Sequence, residues 1–142
     1  MKKVILMGLL LMLASMANAQ KIKESEVPTN VKVTLKKYYP TAKEEKWEME
    51  NGQYEVSFEV NEVDYSLIIN TDGQLLETEM EIAINQLPVN VVEYIKVHYA
   101  GQKIKEAAKI TDAKGIVTYE AEIKGKDLIF DSNGQFIRES KD

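Results

Sequence analysis

Val27-Pro28-Thr29-Asn30-Val31 opens a unit that closes at Thr71-Asp72-Gly73-Gln74, and Leu87-Pro88-Val89-Asn90-Val91 opens a second that closes at Ser132-Asn133-Gly134-Gln135. The chain therefore uses one plan twice. Self-similarity at a fixed spacing points to a duplicated supersecondary unit whose length differences fall in turns.

Within the first unit, Val27, Val31, Leu35 and Tyr38 recur at helical spacing with Lys32, Lys36 and Lys37 between them. That pattern predicts an amphipathic helix with a lysine-rich outer side. Pro28 suits the first turn, where a backbone donor has no partner anyway, and Pro40 stops the helix. The period then changes from helical to alternating. Residues 45–50 alternate around Trp47, Asn51-Gly52 is a two-residue turn signal, and Tyr54, Val56, Phe58 and Val60 share one side of the next run. Tyr65, Leu67 and Ile69 line a third strand, and Asp72-Gly73 turns it into a fourth.

The second unit repeats the helix at an offset of 60, with Leu87, Val91, Ile95 and either His98 or Tyr99 at the apolar positions, and Asn90 and Lys96 matching Asn30 and Lys36. Residues 104–110 read as a strand. Tyr119-Glu120-Ala121-Glu122-Ile123 mirrors Tyr54-Glu55-Val56-Ser57-Phe58 at an offset of 65, and Asn133-Gly134-Gln135 returns to 61. The fold expected is α+β: a tandem repeat of one helix followed by an antiparallel meander, with the helices packed on one face of a curved antiparallel sheet. The first repeat covers 27–84 and the second 85–142, after a polar lead-in at 20–26. Residues 75–84 alternate like a strand and contain no Gly/Ser-rich or Pro-rich linker, which predicts that the repeats form one body.

Lys2 and Lys3, the apolar run 4–13 and Ala17-Asn18-Ala19 read as a signal peptide over residues 1–19, cleaved ahead of Gln20. The expected location is periplasmic or secreted, with no membrane insertion after cleavage. Losing Lys2 and Lys3 takes the 18 basic residues to 16 against 23 acidic ones, a net charge of −7. A chain so charged repels phosphate backbones, so nucleic acid is not an expected partner. With no cysteine to form a disulfide, the fold must hold by apolar burial.

Catalytic parts are scarce. His98 is the single histidine and has the position of a packing or surface residue, and there is no cysteine or glycine-serine nucleophile turn. Neither enzyme activity, a metal nor a cofactor is expected. Asn70, Asp72, Asp131 and Asn133 bring oxygens close in sequence, but their Gly-containing turns close at once into strands, which reads as hairpin chemistry and not as a calcium loop. Alternation places Glu55, Ser57, Glu59, Glu120 and Glu122 on the face opposite the helices, joined by Ser66, Asp127, Ile68 and Ile129. One reading is a solvated polar face; the other is an acidic, partly apolar platform for a basic partner. Trp47, the single tryptophan, is either core packing or an exposed anchor at the edge of that platform.

The helix start, Tyr38-Tyr39-Pro40, the Trp47 strand, Tyr54-Glu55-Val56 and Asp72-Gly73, repeated as Leu87-Pro88 through Tyr119-Glu120-Ala121 to Asn133-Gly134, resemble the PepSY-like, β-lactamase-inhibitor-protein-like secreted domains of Gram-negative bacteria. The resemblance covers nearly all of the chain after residue 19. It implies helices backing a sheet whose free face grips a partner, with an envelope enzyme or peptidase as the partner class. The chain departs from the inhibitor protein in lacking cysteines. The function expected is a non-enzymatic binding domain using Glu55, Ser57, Glu59, Ile68, Glu120, Glu122, Ile129 and Trp47. The alternative is a carrier or envelope sensor enclosing a small apolar ligand between helices and sheet.

Overall fold

The computed structural model describes residues 19–141, so the expected signal peptide lies, apart from Ala19, outside the described residues. The class is α+β, with two α-helices and antiparallel strands among the described residues. Two compact units divide between Glu79 and Met80.

In the first unit, β1 (Gln20–Ile22) precedes α1 (Thr29–Tyr38), followed by β2 (Lys43–Glu50), β3 (Gln53–Val60), β4 (Val63–Ile69) and β5 (Leu75–Ile82), which carries the division between units. The first four strands pair in chain order, each antiparallel to the next. The polar lead-in contributes β1, in which Ile22 lies opposite Trp47 and packs against the core. Three residues are too few to show alternation.

The Asn51-Gly52 turn forms as its residue types require, with φ of 51° and 72°. The expected stripe is buried: Val27, Val31 and Leu35 share one cluster with Trp47, Tyr54, Val56, Phe58, Leu67 and Ile69. Each such aliphatic side chain contributes roughly 1.5–3 kcal/mol on full burial. Tyr38 departs from the stripe and is 52% exposed. The next inward position after Leu35 is one residue further on, so Tyr39 turns in at the helix end and its ring meets Phe58 at 4.9 Å and Tyr65 at 5.2 Å.

The second unit contains α2 (Val89–His98), β6 (Glu106–Asp112), β7 (Val117–Ile123), β8 (Lys126–Asp131) and β9 (Phe136–Lys141), the strands again pairing antiparallel in chain order. Its core joins Leu87, Val91 and Ile95 to Ala107, Ala121, Ile123, Leu128 and Phe130.

The two ends of each repeated stretch meet. Asn30 Nδ2 donates to the Thr71 carbonyl at 2.9 Å, and Asn90 Nδ2 donates to the Asn133 carbonyl at 3.1 Å. The matched asparagines thus tie each helix start to its closing turn. Gly73 and Gly134 sit at φ of 81° and 79° beneath that contact, where a Cβ on Gly134 would lie 2.9 Å from Asn90 Cβ. Glycine is required there by both conformation and space.

The turns spend their own oxygens. Asn70 Oδ1 accepts the N–H groups of Asp72 and Gln74 at 3.0 and 2.9 Å, and Asp131 Oδ1 accepts those of Asn133 and Gln135 at 2.8 and 2.9 Å. These are turns of the kind Asn and Asp favour. Among the described residues, no group of three or more His, Asp or Glu side chains is placed to hold a metal ion.

Candidate protein-binding surface

Alternation places Glu55, Ser57 and Glu59 of β3 opposite Ile68, Ser66 and Asp64 of β4. The open platform does not follow from that placement. Glu55 is 8% exposed and Glu120 is 2% exposed, while Ser66, Asp127 and Ile129 are also buried. Ser57, Glu59, Ile68 and Glu122 are half-buried. Two of the expected contact residues, Glu55 and Glu120, occupy central strands. Glu55 has Glu48 and Ile68 as direct neighbours, and Glu120 has Ala108 and Ile129. Neighbours on both sides shield them in a way that alternation alone does not reveal. Ile68 and Ile129 are therefore not exposed together.

Ser66 Oγ donates to Glu55 Oε1 at 3.0 Å. Burial nevertheless pushes the Glu55 carboxyl up to about 7, with the nearby Glu48 and Glu50 carboxylates adding to the rise against the Ser66 bond. Glu50 is raised as well, by burial and by Glu48. Glu122 keeps a surface role, its carboxylate 3.9 Å from the Lys105 ammonium. Trp47 is 4% exposed and belongs to the first core, so it is no surface anchor.

The open feature lies elsewhere, along α2 in the second unit. There the Tyr94 ring is stacked between two others, His98 at 4.0 Å and Phe136 at 4.8 Å, and meets Phe130 edge-on at 5.6 Å. Helical spacing puts Asn90, Glu93, Tyr94 and Val97 on one side of α2, facing the turn that leads into β9. With Phe136 they line a groove of about 590 Å³. Val97 at its rim is 74% exposed, and Val89 on the same helix is 68% exposed. His98 is exposed, and its Nδ1 lies 3.1 Å from the Tyr94 carbonyl, so Nδ1 serves as donor and Nε2 is the acceptor of the neutral ring.

The first repeat is built differently at the same place. Thr34 stands where Tyr94 does, and its hydroxyl donates to the Gly73 carbonyl at 2.5 Å, with the Asn30 carbonyl at 3.1 Å. Leu75 stands where Phe136 does. Helical periodicity alone does not reveal the groove; the available signal is the pair of exchanges to aromatic residues between repeats, Thr34 to Tyr94 and Leu75 to Phe136.

The model of the family described as "Putative beta-lactamase-inhibitor-like, PepSY-like" matches residues 15–77 and again 69–138. The chain belongs to this PepSY-like family, and the double match covers both repeats. No curated protein matches it significantly. Among solved structures, a DUF2874 family protein from Bacteroides uniformis is 20% identical with a TM-score of 0.72, over 81% of this chain and 89% of that one. A BLIP-like protein from Bacteroides fragilis is 21% identical with a TM-score of 0.63, over 80% and 85%. One of the "putative periplasmic proteins" from Bacteroides eggerthii is 16% identical with a TM-score of 0.73, over 81% and 88%. These likenesses concern the fold. Among the described residues, no helix is long and apolar enough to cross a membrane.

Proposed function

We propose that the protein is a non-enzymatic binding domain of the periplasm or the secreted fraction, and that it holds a protein partner. In this reading each repeat is a helix covering one face of its own meander, and the second has diverged to present a contact surface. The carrying observation is the aromatic stack of exposed His98 on half-buried Tyr94 and Phe136, beside the exposed Val97. Aromatic side chains at the centre of a patch with a polar rim are what protein interfaces use as anchors. Glu93 at the rim and the acidic balance of the chain favour a partner segment that is basic as well as apolar.

The partner class is an envelope enzyme or peptidase, as the family description suggests by analogy of fold. Fully buried stripes on both helices favour this over an apolar carrier, because Val31, Leu35, Val91 and Ile95 are at most 2% exposed. The helix-free face has no part in this contact: Ser57, Glu59, Ile68 and Glu122 are half-buried, and Glu55, Glu120, Ile129 and Trp47 are buried and serve the fold. A photo-crosslinking residue at position 97 in cells expressing the full chain tests the assignment. A discrete protein adduct at position 97, absent with the crosslinker at Val33 of α1, is expected. Adducts equal at both positions, or none at 97, would overturn it.

A further inference from the structure

Two rows of side chains spaced four residues apart run along α2: Val89, Glu93 and Val97 in one, Asn90, Tyr94 and His98 in the other. Such rows are the ridges through which helices pack, and the furrow between them takes a ridge from a second helix. Val89, Glu93, Val97 and His98 are all exposed. Glu93 forms no ion pair among the described residues. An apolar, acidic, apolar ridge about 12 Å long is thus left uncovered beside the stacked rings of Tyr94 and His98. α1 lacks this pair of ridges. Lys37 stands where Val97 does, and Thr34, in the place of Tyr94, is buried with its hydroxyl bonded to the Gly73 carbonyl.

The backbone beside the groove decides what form of chain suits it. Asp131 Oδ1 accepts the N–H groups of Asn133 and Gln135, and the Asp131 carbonyl accepts that of Gly134. The Asn133 carbonyl takes Asn90 Nδ2, and the Gln135 carbonyl takes the Asp131 N–H. The donors of residues 133–135 are therefore spent, as are those inside α2. An extended segment laid between α2 and this turn would find no donor for its carbonyls. A helix arrives with its backbone already bonded and needs only side-chain contacts.

We propose that the partner segment held by the α2 groove is an amphipathic helix. Its apolar ridge packs between Val89, Val97 and the Tyr94–His98 stack, and a lysine or arginine beside that ridge meets Glu93. This rests on the reading of the groove as the partner surface, and it specifies the form and charge of what lies there.

Photo-crosslinking residues are placed singly at 89 and 97 in cells expressing the full chain, and the captured partner residues are mapped by mass spectrometry. Both positions are expected to capture one segment, at residues with gaps of three or four that together span about eight. An extended segment would give gaps of two and span about four. Glu93→Lys is expected to lower the yield at 97 about tenfold, with the unfolding midpoint unchanged because Glu93 is exposed. Gaps of two, or full yield in Glu93→Lys, would overturn the basic helix and leave the groove as the partner surface. No adduct at 97 would overturn that reading and this proposal with it.

Discussion

Ser66 Oγ, on β4, donates a 3.0 Å hydrogen bond to the Glu55 carboxylate on β3, and both residues are buried. The bond favours the charged carboxylate, but burial outweighs it and holds the carboxyl up at about 7 instead of 4.5. Below pH 4.5, folded and unfolded chains both hold this proton and the preference of the fold for the neutral group is fully present. As pH rises toward 7 the unfolded chain gives up the proton first, so stability falls. The shift corresponds to about 3 kcal/mol at most. We predict that Glu55→Gln, compared with wild type in urea at pH 4.5 and at about pH 8, gains roughly 1–3 kcal/mol of relative stability at the higher pH. Parallel pH profiles for the two proteins would remove Glu55 as the titrating group.

Glu120 occupies the equivalent place in the second repeat and is 2% exposed between Ala108 and Ile129. A lysine there must bury an ammonium and lose the interactions of the carboxylate. Glu120→Lys should therefore cost at least about 3 kcal/mol. Glu122→Lys, on a half-buried carboxylate whose cation is 3.9 Å away, should cost about 1 kcal/mol or less. Thermal unfolding of the two variants separates these cases, and equal midpoints would mean that Glu120 is effectively solvated.

These two glutamates mark the limit of what the sequence discloses. Val31, Leu35, Leu67 and Ile69 were legible as core because burial follows period, and the Asn-Gly and Asp-Gly turns because positive φ selects residue types. Period 2 also sets Glu55 apart from its neighbours Tyr54 and Val56. It says nothing about whether the face of Glu55 is wet, since shielding comes from neighbouring strands that are remote in sequence. The α2 groove was hidden for a related reason. Tyr94 follows the helical pattern of a partly inward residue, and only its meeting with Phe136, 42 positions later, makes a surface of it.

The contact between Gly134 and Asn90 carries the last prediction, because it is where the two ends of the repeated stretch are joined. An alanine at 134 adopts a φ of 79° that L residues resist, at a cost of about 1–2 kcal/mol. It also sets a Cβ 2.9 Å from Asn90 Cβ and 3.2 Å from Pro88 Cβ, so the helix start must shift. At Gly115 the backbone is equally left-handed, with φ of 80°, but nothing lies within 4 Å of the added methyl. Gly115→Ala thus measures the conformational cost alone. Gly134→Ala should exceed it by about 1 kcal/mol or more, the additional part coming from overpacking. Replacing Asn90 with alanine as well leaves its Cβ in place, so the crowding persists while the hydrogen bond to Asn133 is lost, and the double variant should be less stable than Gly134→Ala. Equal destabilisation at Gly115 and Gly134 in urea unfolding would show that the turn is free to move away from α2, and that the clamp does not fix the helix to its closing hairpin.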